Sequence, residues 1–553
     1  MGVVEGFVPP RQEDADKYLQ MGWWRGITLG DILDRAAALY PDKEALVEDR
    51  SRLTYSQLRE MVDRLAIALS RLGISNGDCV LVQLPDWAEF VYTFLALQKI
   101  GAPAVLLLPR LMQIEINHFC GLTGAKAWIL PETYRKTDYR PIIDDVRKAN
   151  PHLEHIISVR SGESKSFVRL EYLIQGAALS RENLNELARK KPEAAQIAFI
   201  LPTGGTTGLP KAVPRTHNNA VCEAEYKAVA REHGSNDICL ISVPLEHNLG
   251  LASMNSTIFS YGKLVLLDST LPEDFCQAVQ RERVTRAPLV PTLLTRLVNF
   301  NRLKKYDLSS LRALYVGGAK TPPDVIRAVH KKFGNIYINA FGMSEGATCT
   351  TRLDDNEETI LNAVGRPCCP YDELKVVDGD GRDLPRNAEG ELLAKGPGVF
   401  FGYLKSPEEN KLAFTNDGFF ITGDLAVIDD AGIIRITGRK KDIIIRGGEN
   451  VSPVEIETLV LKHPAVEDVA VIGMPDEELG ERVCAYIKPG KNTNPTLEDI
   501  VTFLKAQGAS VLQLPERIEI IEEIPQTNIG KADKKALRDD LKRRLTLAPN
   551  NKS

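Results

Sequence analysis

The stretch Thr203-Gly-Gly-Thr-Thr-Gly208-Leu-Pro-Lys211 combines glycines, hydroxyl groups and one lysine within a short segment. It follows the apolar run Ile197–Pro202, which predicts a buried strand and places the segment as a loop at the end of a sheet. Glycines let backbone N–H groups approach phosphate oxygens, while the threonine hydroxyls and the lysine add donors and positive charge. The loop therefore predicts a polyphosphate site, with ATP as the first candidate, and a flexible surface turn is the alternative.

The spacing of this loop differs from that of the phosphate loop of GTPases and motor proteins. Pro210 precedes Lys211, and the residue after Lys211 is neither Ser nor Thr. The usual loop places its lysine after a glycine and follows it with a hydroxyl residue that reaches Mg²⁺. The sequence thus argues against a GTPase or a motor.

Length and composition set broad limits. A chain of 553 residues predicts two to four folding units. A formal net charge of −5 gives no reason to expect nucleic acid as a partner. No apolar run approaches the roughly 18 residues that cross a bilayer, and the acidic N-terminus does not resemble a signal peptide, so a cytoplasmic location is predicted. The 9 cysteines never occur in CxxC spacing, which indicates neither a disulfide framework nor a zinc site.

The first part of the chain has the pattern of an α/β protein. Thr54 is placed to cap a helix with an apolar stripe, and Gly73 lies where that helix should end. A strand at 79–84, a helix at 87–100 and a strand at 103–108 then make a βαβ unit. Further short strands are predicted at 238–243, 264–267, 311–316 and 336–341. We therefore predict a mixed or parallel sheet with functional loops at strand ends.

The pattern changes near residue 440, after which the predicted elements become shorter. They are a glycine-rich loop at 446–450, a helix beginning near Pro453, a strand near 469–472 and a terminal helix carrying Leu537, Leu541 and Leu545. This predicts two domains, a large N-terminal domain over residues 1–440 and a small α+β domain over 441–553.

Four further motifs carry groups suited to a nucleotide. Asn339-Ala-Phe-Gly-Met-Ser-Glu345 places a carboxylate after a strand, where Glu345 is predicted to hold Mg²⁺ against phosphates. Thr422-Gly-Asp424 offers an acceptor for the two hydroxyls of a ribose, and Gly438-Arg-Lys-Lys-Asp442 supplies cations. Gln526-Thr-Asn-Ile-Gly-Lys531 puts a lysine just before the last helix. Taken singly, these are also ordinary turn, helix-end or surface residues; their order along one chain favours a shared nucleotide site.

The ordered set TGGTTGLPK, FGMSEG, TGD, GRKKD and NIGK resembles the adenylate-forming superfamily of acyl-CoA synthetases, carrier-protein adenylation domains and luciferases. The resemblance covers about residues 20 to 540. Its details are similar to stand-alone aryl-acid ligases of the 2,3-dihydroxybenzoate type, in the segments 214–217, 246–248 and 317–320 and in Phe341. The resemblance implies a large N-terminal domain and a mobile C-terminal domain, with Lys441 as the hinge.

The resemblance also implies a reaction in two halves. A carboxylate attacks the α-phosphate of ATP to give an acyl-adenylate and pyrophosphate, and a thiol then takes the acyl group and releases AMP. Lys531 is implied to bridge the acid and the α-phosphate, and Glu345 to carry Mg²⁺. The implied nucleotide-binding residues are Thr203, Gly204, Gly205, Thr206, Thr207, Gly208, Lys211, Gly317, Gly318, Ala319, Asn339, Ala340, Phe341, Gly342, Met343, Ser344, Asp424 and Arg439.

The acid pocket is implied to include His247, Asn248, Ser253 and Gly317. In dihydroxybenzoate ligases the asparagine and the serine contact ring hydroxyls, whereas a satisfied loop pair is the other interpretation of His247 and Asn248. Leu249 and Gly250 stand where close relatives have an aromatic residue and a proline. This aliphatic lining is compatible with a benzoate or an alicyclic ring acid.

The acceptor thiol is predicted to be that of coenzyme A, because no carrier module is fused to the chain and the pocket does not fully match the siderophore type. The alternative is an aryl-acid ligase that loads the phosphopantetheine arm of a carrier protein. The segment 512–515 lacks the Tyr-Lys pair of typical relatives. A luciferase-like oxygenase and a non-catalytic nucleotide sensor are more distant alternatives, and a homodimer is compatible with the sequence.

Overall fold

The computed structural model describes residues 4–162, 167–203, 209–446, 449–476, 479–507, 509–527 and 531–547. The chain forms two compact units. The first contains the residues up to Leu374 together with Ala394–Phe420, and the second contains Lys375–Leu393 and the residues from Ile421 onward. The second unit thus includes 421–440, which the sequence analysis assigned to the N-terminal domain; the boundary at 440 and the hinge at Lys441 stay predictions.

The largest sheet of the first unit has nine strands among the described residues. Its central strands pair in parallel, and antiparallel strands close both edges. In spatial order the strands are Arg366–Pro367, Gly346–Thr350, Tyr337–Met343, Ala313–Gly317, Arg286–Leu289, Ile238–Ile241, Lys263–Leu266, Glu44–Glu48 and Ser51–Thr54. The four strands predicted after residue 230 all lie in this sheet, as two pairs of adjacent strands.

A second sheet of the first unit has seven strands in the part of the chain that the structure describes. In spatial order they are Ala212–Thr216, Ile197–Pro202, Ala104–Leu106, Val80–Val82, Ala127–Pro131, His155–Val159 and Val168–Arg169. The strands Val80–Val82 and Ala104–Leu106 pair in parallel across the helix Ala88–Ile100. The predicted βαβ unit is therefore confirmed. A short hairpin joins Thr133–Tyr134 to Thr137–Asp138.

Local sequence signals explain the helix that precedes this unit. The Thr54 side chain accepts from the Gln57 N–H, and the Gln57 side chain accepts from the Thr54 N–H, which closes a capping box at the helix N-terminus. Of the predicted apolar stripe, Leu58, Val62, Leu65 and Leu69 are fully buried and Leu72 is partly buried. The helices of the first unit are Gln12–Gln20, Leu29–Leu39, Tyr55–Arg71, Ala88–Ile100, Gln113–Thr123, Arg140–Ala149, Leu170–Gly176, Arg181–Arg189, His217–Ala230, Asn248–Phe259, Pro272–Glu282, Pro291–Val298, Pro323–Phe333, Glu357–Asn362 and Pro407–Ala413.

The second unit has an α+β organisation. One four-stranded sheet has the strand order Glu373–Val377, Glu389–Lys395, Phe420–Ile428 and Ile434–Arg439, and its last two strands pair antiparallel. The other contains Glu449–Val451, Ile444–Arg446, Gly480–Pro489 and Val466–Asp476, with Arg517–Ile520 paired to Gly480–Pro489. Its helices are Pro453–Val460, Leu497–Ala506 and Lys534–Leu547. The predicted helix at Pro453, strand near 469–472 and terminal helix are confirmed, and so is the α/β fold class.

Among the described residues, none of the helices is both long enough and apolar enough to span a membrane. The predicted cytoplasmic location and the predicted homodimer stay predictions.

Candidate active site

The two ends of the glycine-rich loop are fixed by hydrogen bonds at the neck of a hairpin. The strands Ile197–Pro202 and Ala212–Thr216 pair antiparallel, and the Thr203 N–H donates to the Lys211 carbonyl at 2.9 Å. The Lys211 N–H in turn donates to Thr203 Oγ1 at 3.1 Å. The predicted residues Gly204, Gly205, Thr206, Thr207 and Gly208 lie outside the described residues. Thr203 and Lys211, the described ends of the loop, therefore lie side by side where the two paired strands end.

Tyr403 connects the loop lysine to the carboxylate predicted to hold Mg²⁺. Lys211 Nζ lies 4.5 Å from the centre of the Tyr403 ring, within the range of a cation–π contact. The Tyr403 hydroxyl donates to Glu345 Oε1 at 2.8 Å. Glu345 itself lies in the turn between the strands Tyr337–Met343 and Gly346–Thr350. The structure thus brings together two predicted residues through a tyrosine that the sequence analysis did not identify.

A buried arginine supports the turn that carries Glu345. Arg215 Nη1 donates to the Ser344 carbonyl at 3.0 Å, and Nη2 donates to the Gly398 carbonyl at 2.8 Å. Arg215 also forms an ion pair with Glu223 at 3.2 Å, and the arginine side chain is 0% exposed. Lys227 Nζ contacts the same carboxylate at 2.6 Å. These buried charges compensate one another, as charges in a low-dielectric interior must.

The residues predicted to shape an adenine slot lie at the ends of two neighbouring parallel strands. Gly317 pairs with Ala340 in the sheet. A Cβ atom on Gly317 would lie 2.4 Å from the Ala340 carbonyl oxygen, so only glycine allows this approach. Asn339 donates through Nδ2 to the Ala363 carbonyl at 2.8 Å. The predicted residues that follow, Gly318 and Ala319 on one strand end and Phe341, Gly342, Met343 and Ser344 on the other, extend the same edge.

The predicted acid-binding residues surround the start of the helix Asn248–Phe259. His247 caps this helix, with Nδ1 accepting from the Leu249 N–H at 3.3 Å. Asn248 Nδ2 donates to the Met343 carbonyl at 3.0 Å, which joins the helix start to the strand that leads to Glu345. Ser253 Oγ donates to the Leu249 carbonyl at 2.8 Å.

The close packing at the start of this helix explains why residue 250 is a glycine. A Cβ atom there would lie 2.3 Å from the Pro244 carbonyl oxygen. A proline or any larger residue at this position therefore requires a shift of the preceding loop. Gly250 thus allows the helix start to lie close to the Pro244 carbonyl.

In the second unit, Asp424 offers a buried carboxylate oxygen to a ligand. Its Oδ1 accepts from Arg439 Nε at 2.7 Å, on the paired strands Phe420–Ile428 and Ile434–Arg439. The Asp424 side chain is 4% exposed, and within the described part of the chain its Oδ2 has no hydrogen-bond partner. A buried unsatisfied carboxylate oxygen is costly unless a donor reaches it. The hydroxyls of a ribose are donors of the required kind.

The two predicted lysines of the second unit lie on short, internally bonded segments. Lys441 is within the 3₁₀ turn Lys440–Asp442, and burial together with the positive charge of Arg439 lowers its pKa. Asp442 accepts from Arg538 on the last helix at 2.8 Å. The Lys531 N–H donates to Thr527 Oγ1 at 3.2 Å. Both lysines thus lie at described backbone positions in the second unit.

The donor set also bears on the predicted Mg²⁺. No group of three His, Cys, Asp or Glu side chains suited to a metal occurs in the part of the chain that the structure describes. Mg²⁺ in nucleotide enzymes commonly takes one or two carboxylates, with substrate phosphates and water as its other ligands. Glu345, a single carboxylate at the turn beside Lys211 and Tyr403, fits that mode of binding.

Asp372 is buried and accepts from the Gly398 N–H, and we expect its titration to make the stability of the protein depend on pH. Burial raises its pKa to about 7 from an ordinary 3.8, against the opposing bond from the Gly398 N–H. Between these values the folded state keeps a proton that the unfolded state has lost. The free energy of unfolding therefore falls as the pH rises from 4 to 7. We expect Asp372→Asn to gain stability over the wild type as the pH rises, because asparagine stays neutral and still accepts from Gly398.

The measurement is the urea midpoint of unfolding, followed by tryptophan fluorescence at several pH values from about 5 to 8. Asp307→Asn is the matched control, because bonds from Ser309 and the charge of Arg283 lower the pKa of Asp307 to about 2. Its effect should be constant over this range. A constant effect of Asp372→Asn would contradict the assignment. Burial also raises the pKa values of Asp86 and Glu246. Because of these two groups, the free energy of unfolding of Asp372→Asn should still depend on pH, with a smaller slope than in the wild type.

Two family models match successive parts of the chain. Residues 33–404 match the family model described as AMP-binding enzyme. Residues 455–531 match the model described as AMP-binding enzyme C-terminal domain. The second match begins within the second compact unit and ends at Lys531. The two matches follow one another in the order that the motifs predicted.

Individual relatives match nearly the whole chain. A 2,3-dihydroxybenzoate-AMP ligase of Bacillus subtilis is 38% identical, with 98% of this chain and 99% of the relative covered. A 2-hydroxy-7-methoxy-5-methyl-1-naphthoate–CoA ligase of Streptomyces carzinostaticus is 35% identical, with 96% of each covered. A salicyl-AMP ligase / salicyl-S-ArCP synthetase of Mycobacterium tuberculosis is 33% identical, with 97% and 94% covered.

A solved structure agrees with these matches. The apo structure of MbtA from Mycobacterium smegmatis superposes with a TM-score of 0.73 at 32% identity, covering 97% of this chain and 98% of that one. The resemblance drawn from the five motifs is confirmed. The chain belongs to the AMP-binding enzymes of the adenylate-forming superfamily, and it is an AMP-forming acid ligase.

Proposed function

We propose that this enzyme activates a ring-bearing carboxylic acid with ATP and transfers the acyl group to the phosphopantetheine thiol of a carrier protein. The observation that carries the proposal is the match, over nearly the full length, to relatives named as aryl-acid AMP ligases, one of which is named for an S-ArCP product. The sequence alone favours coenzyme A as the acceptor, with a carrier protein as the alternative. These relatives favour that alternative, while the naphthoate–CoA ligase keeps coenzyme A as the competing acceptor.

The site residues have complementary roles in this proposal. Lys531 bridges the acid carboxylate and the α-phosphate, where two anions must approach one another. The loop 203–211 holds the departing pyrophosphate, and the strand ends at Gly317 and Asn339 receive the adenine. Glu345 is the residue that would hold Mg²⁺, which supplies positive charge to the phosphates when bound. Lys441 is the hinge about which the C-terminal domain turns between the two half-reactions.

The test separates activation from transfer. Exchange of labelled pyrophosphate into ATP is measured with a panel of benzoates and alicyclic ring acids, and the best acid is then offered with either coenzyme A or a phosphopantetheinylated aryl-carrier domain. The proposal expects acid-dependent exchange and faster acylation of the carrier domain at equal thiol concentration. Faster thioester formation with coenzyme A would assign the other acceptor. Absence of exchange with every ring acid would reject acid activation.

Asp424 provides a prediction for the nucleotide. We expect Asp424→Asn to raise the KM for ATP by about 10- to 100-fold, because a hydrogen bond to a charged group contributes roughly 1.5–3 kcal/mol. The asparagine still accepts from Arg439 but presents an amide where Oδ2 was. The matched control is Glu391→Gln, which removes a carboxylate ion-paired to Lys440 at 2.9 Å in the same sheet. Equal KM values for both variants would argue against ribose binding by Asp424.

A further inference from the structure

Asn248 uses both hydrogens of its side-chain amide inside the protein. Nδ2 donates to the Met343 carbonyl at 3.0 Å and to Glu223 Oε1 at 3.2 Å. The residue is 4% exposed, and its Oδ1 is buried with no hydrogen-bond partner among the residues that the structure describes. An amide has two donors and one acceptor oxygen, so only the acceptor side of Asn248 is left for a ligand.

The orientation of this amide is determined by its two partners. A backbone carbonyl and an ionised carboxylate are both acceptors, so turning the amide over would place Oδ1 against two other oxygens. Although burial raises it, the pKa of Glu223 is lowered to about 2 by the charges of Lys227 and Arg215, with further hydrogen bonds from Lys227 and Asn248. Glu223 therefore remains an acceptor at every pH at which the enzyme is used.

Ser253, like Asn248, leaves only a hydrogen-bond acceptor for a ligand. Its hydroxyl has a single hydrogen, which it donates to the Leu249 carbonyl at 2.8 Å. The serine is one turn along the helix that Asn248 begins, and it is fully buried. Its oxygen is thus left with acceptor capacity only. Both side chains assigned to the ring of the acid present lone pairs rather than hydrogens.

We propose that Glu223 is a positioning residue that sets the specificity of the acid pocket. It holds the Asn248 amide so that the carbonyl oxygen is left for the bound acid, and the pocket therefore selects ring acids that carry a hydroxyl or N–H donor at that place. The proposal rests on the proposed function for the assignment of Asn248 to the acid. Glu223 itself does not touch the acid; it acts through Asn248.

Salicylate and 2-fluorobenzoate test this polarity, because fluorine is small and cannot donate. Leaving the buried Asn248 oxygen unsatisfied should lower kcat/KM for 2-fluorobenzoate about 10- to 100-fold relative to salicylate in the wild-type enzyme. In Glu223→Gln/Lys227→Met the glutamine carbonyl can accept from Arg215, while its amide faces Asn248. This double variant keeps the net charge of the three-residue network unchanged, since it removes one charge of each sign. We expect its salicylate preference to fall to about threefold or less.

The matched control is Lys227→Met alone, which keeps the Glu223–Asn248 hydrogen bond and should keep the preference. Folding of each variant is checked by its urea midpoint, and Glu223→Gln alone is the second variant if the double variant does not fold. A preference that persists in the glutamine variants would overturn the role of Glu223. A wild type that uses both acids equally would overturn the donor requirement.

Equilibrium binding of the two acids, measured by calorimetry in the wild type and both variants, separates this inference from the proposed function. If no acid supports pyrophosphate exchange, the proposed function fails. The ratio of the two dissociation constants and its loss on substitution of Glu223 still decide the inference. The same ratio in all three proteins would reject it.

Discussion

Replacing Lys531 by alanine is expected to lower the rate of acyl-adenylate formation by about 10²–10³-fold, the usual effect of losing one charge-stabilising donor. The ammonium group is proposed to neutralise charge where the acid carboxylate meets the α-phosphate. It has no such role when a thiol attacks an acyl-adenylate that is already formed. Thioester formation from supplied acyl-adenylate should therefore remain close to the wild-type rate.

The two half-reactions are measured separately for this variant, by pyrophosphate exchange and by single-turnover thioester formation from the purified acyl-adenylate. Lys535→Ala is the matched control, since Lys535 is an exposed lysine on the same terminal helix region. It should leave both rates unchanged. Equal loss of both half-reactions in Lys531→Ala would show that the lysine supports the fold of the second unit rather than the adenylation step.

The sequence contained enough information to predict the nucleotide motifs and the elements that carry them. Strong periodicity and capping residues mark the helix Tyr55–Arg71 and the βαβ unit that follows it, and these local signals agree with the final fold. The strand Ala212–Thr216 was not predicted, because Pro214 lies within it. It is the edge strand of its sheet, which is where a proline is tolerated.

The buried polar network was not predicted, for a different reason. Glu223 and Lys227 are four residues apart on a helix, a spacing that is typical of exposed ion pairs. In the folded structure most residues of this helix, His217–Ala230, are buried, so the pair lies in the interior. Tyr403 likewise belongs to no motif, and its link to Glu345 joins residues distant in sequence. Such contacts depend on the fold and leave no local pattern.

The second large effect is expected on stability, when Arg215 is replaced. We expect Arg215→Met to lower the free energy of unfolding of the first unit by about 2–6 kcal/mol, because the carbonyls of Ser344 and Gly398 both lose their buried donor, at about 1–3 kcal/mol each. Glu223 loses one cationic partner but keeps its ion pair with Lys227. Methionine has a similar length, so lost packing is a minor part of the change.

Tryptophan fluorescence in urea is a selective probe of this effect, because all 4 tryptophans lie in the first unit, at positions 23, 24, 87 and 128. Arg327→Met is the matched control: its side chain is 55% exposed, and its ion pair with Asp324 should contribute less than about 1 kcal/mol. Similar midpoints for the two variants would contradict the structural role of Arg215. Because Glu223 stays paired with Lys227 in Arg215→Met, adding Glu223→Gln leaves the buried Lys227 without its anion and should lower the free energy of unfolding further.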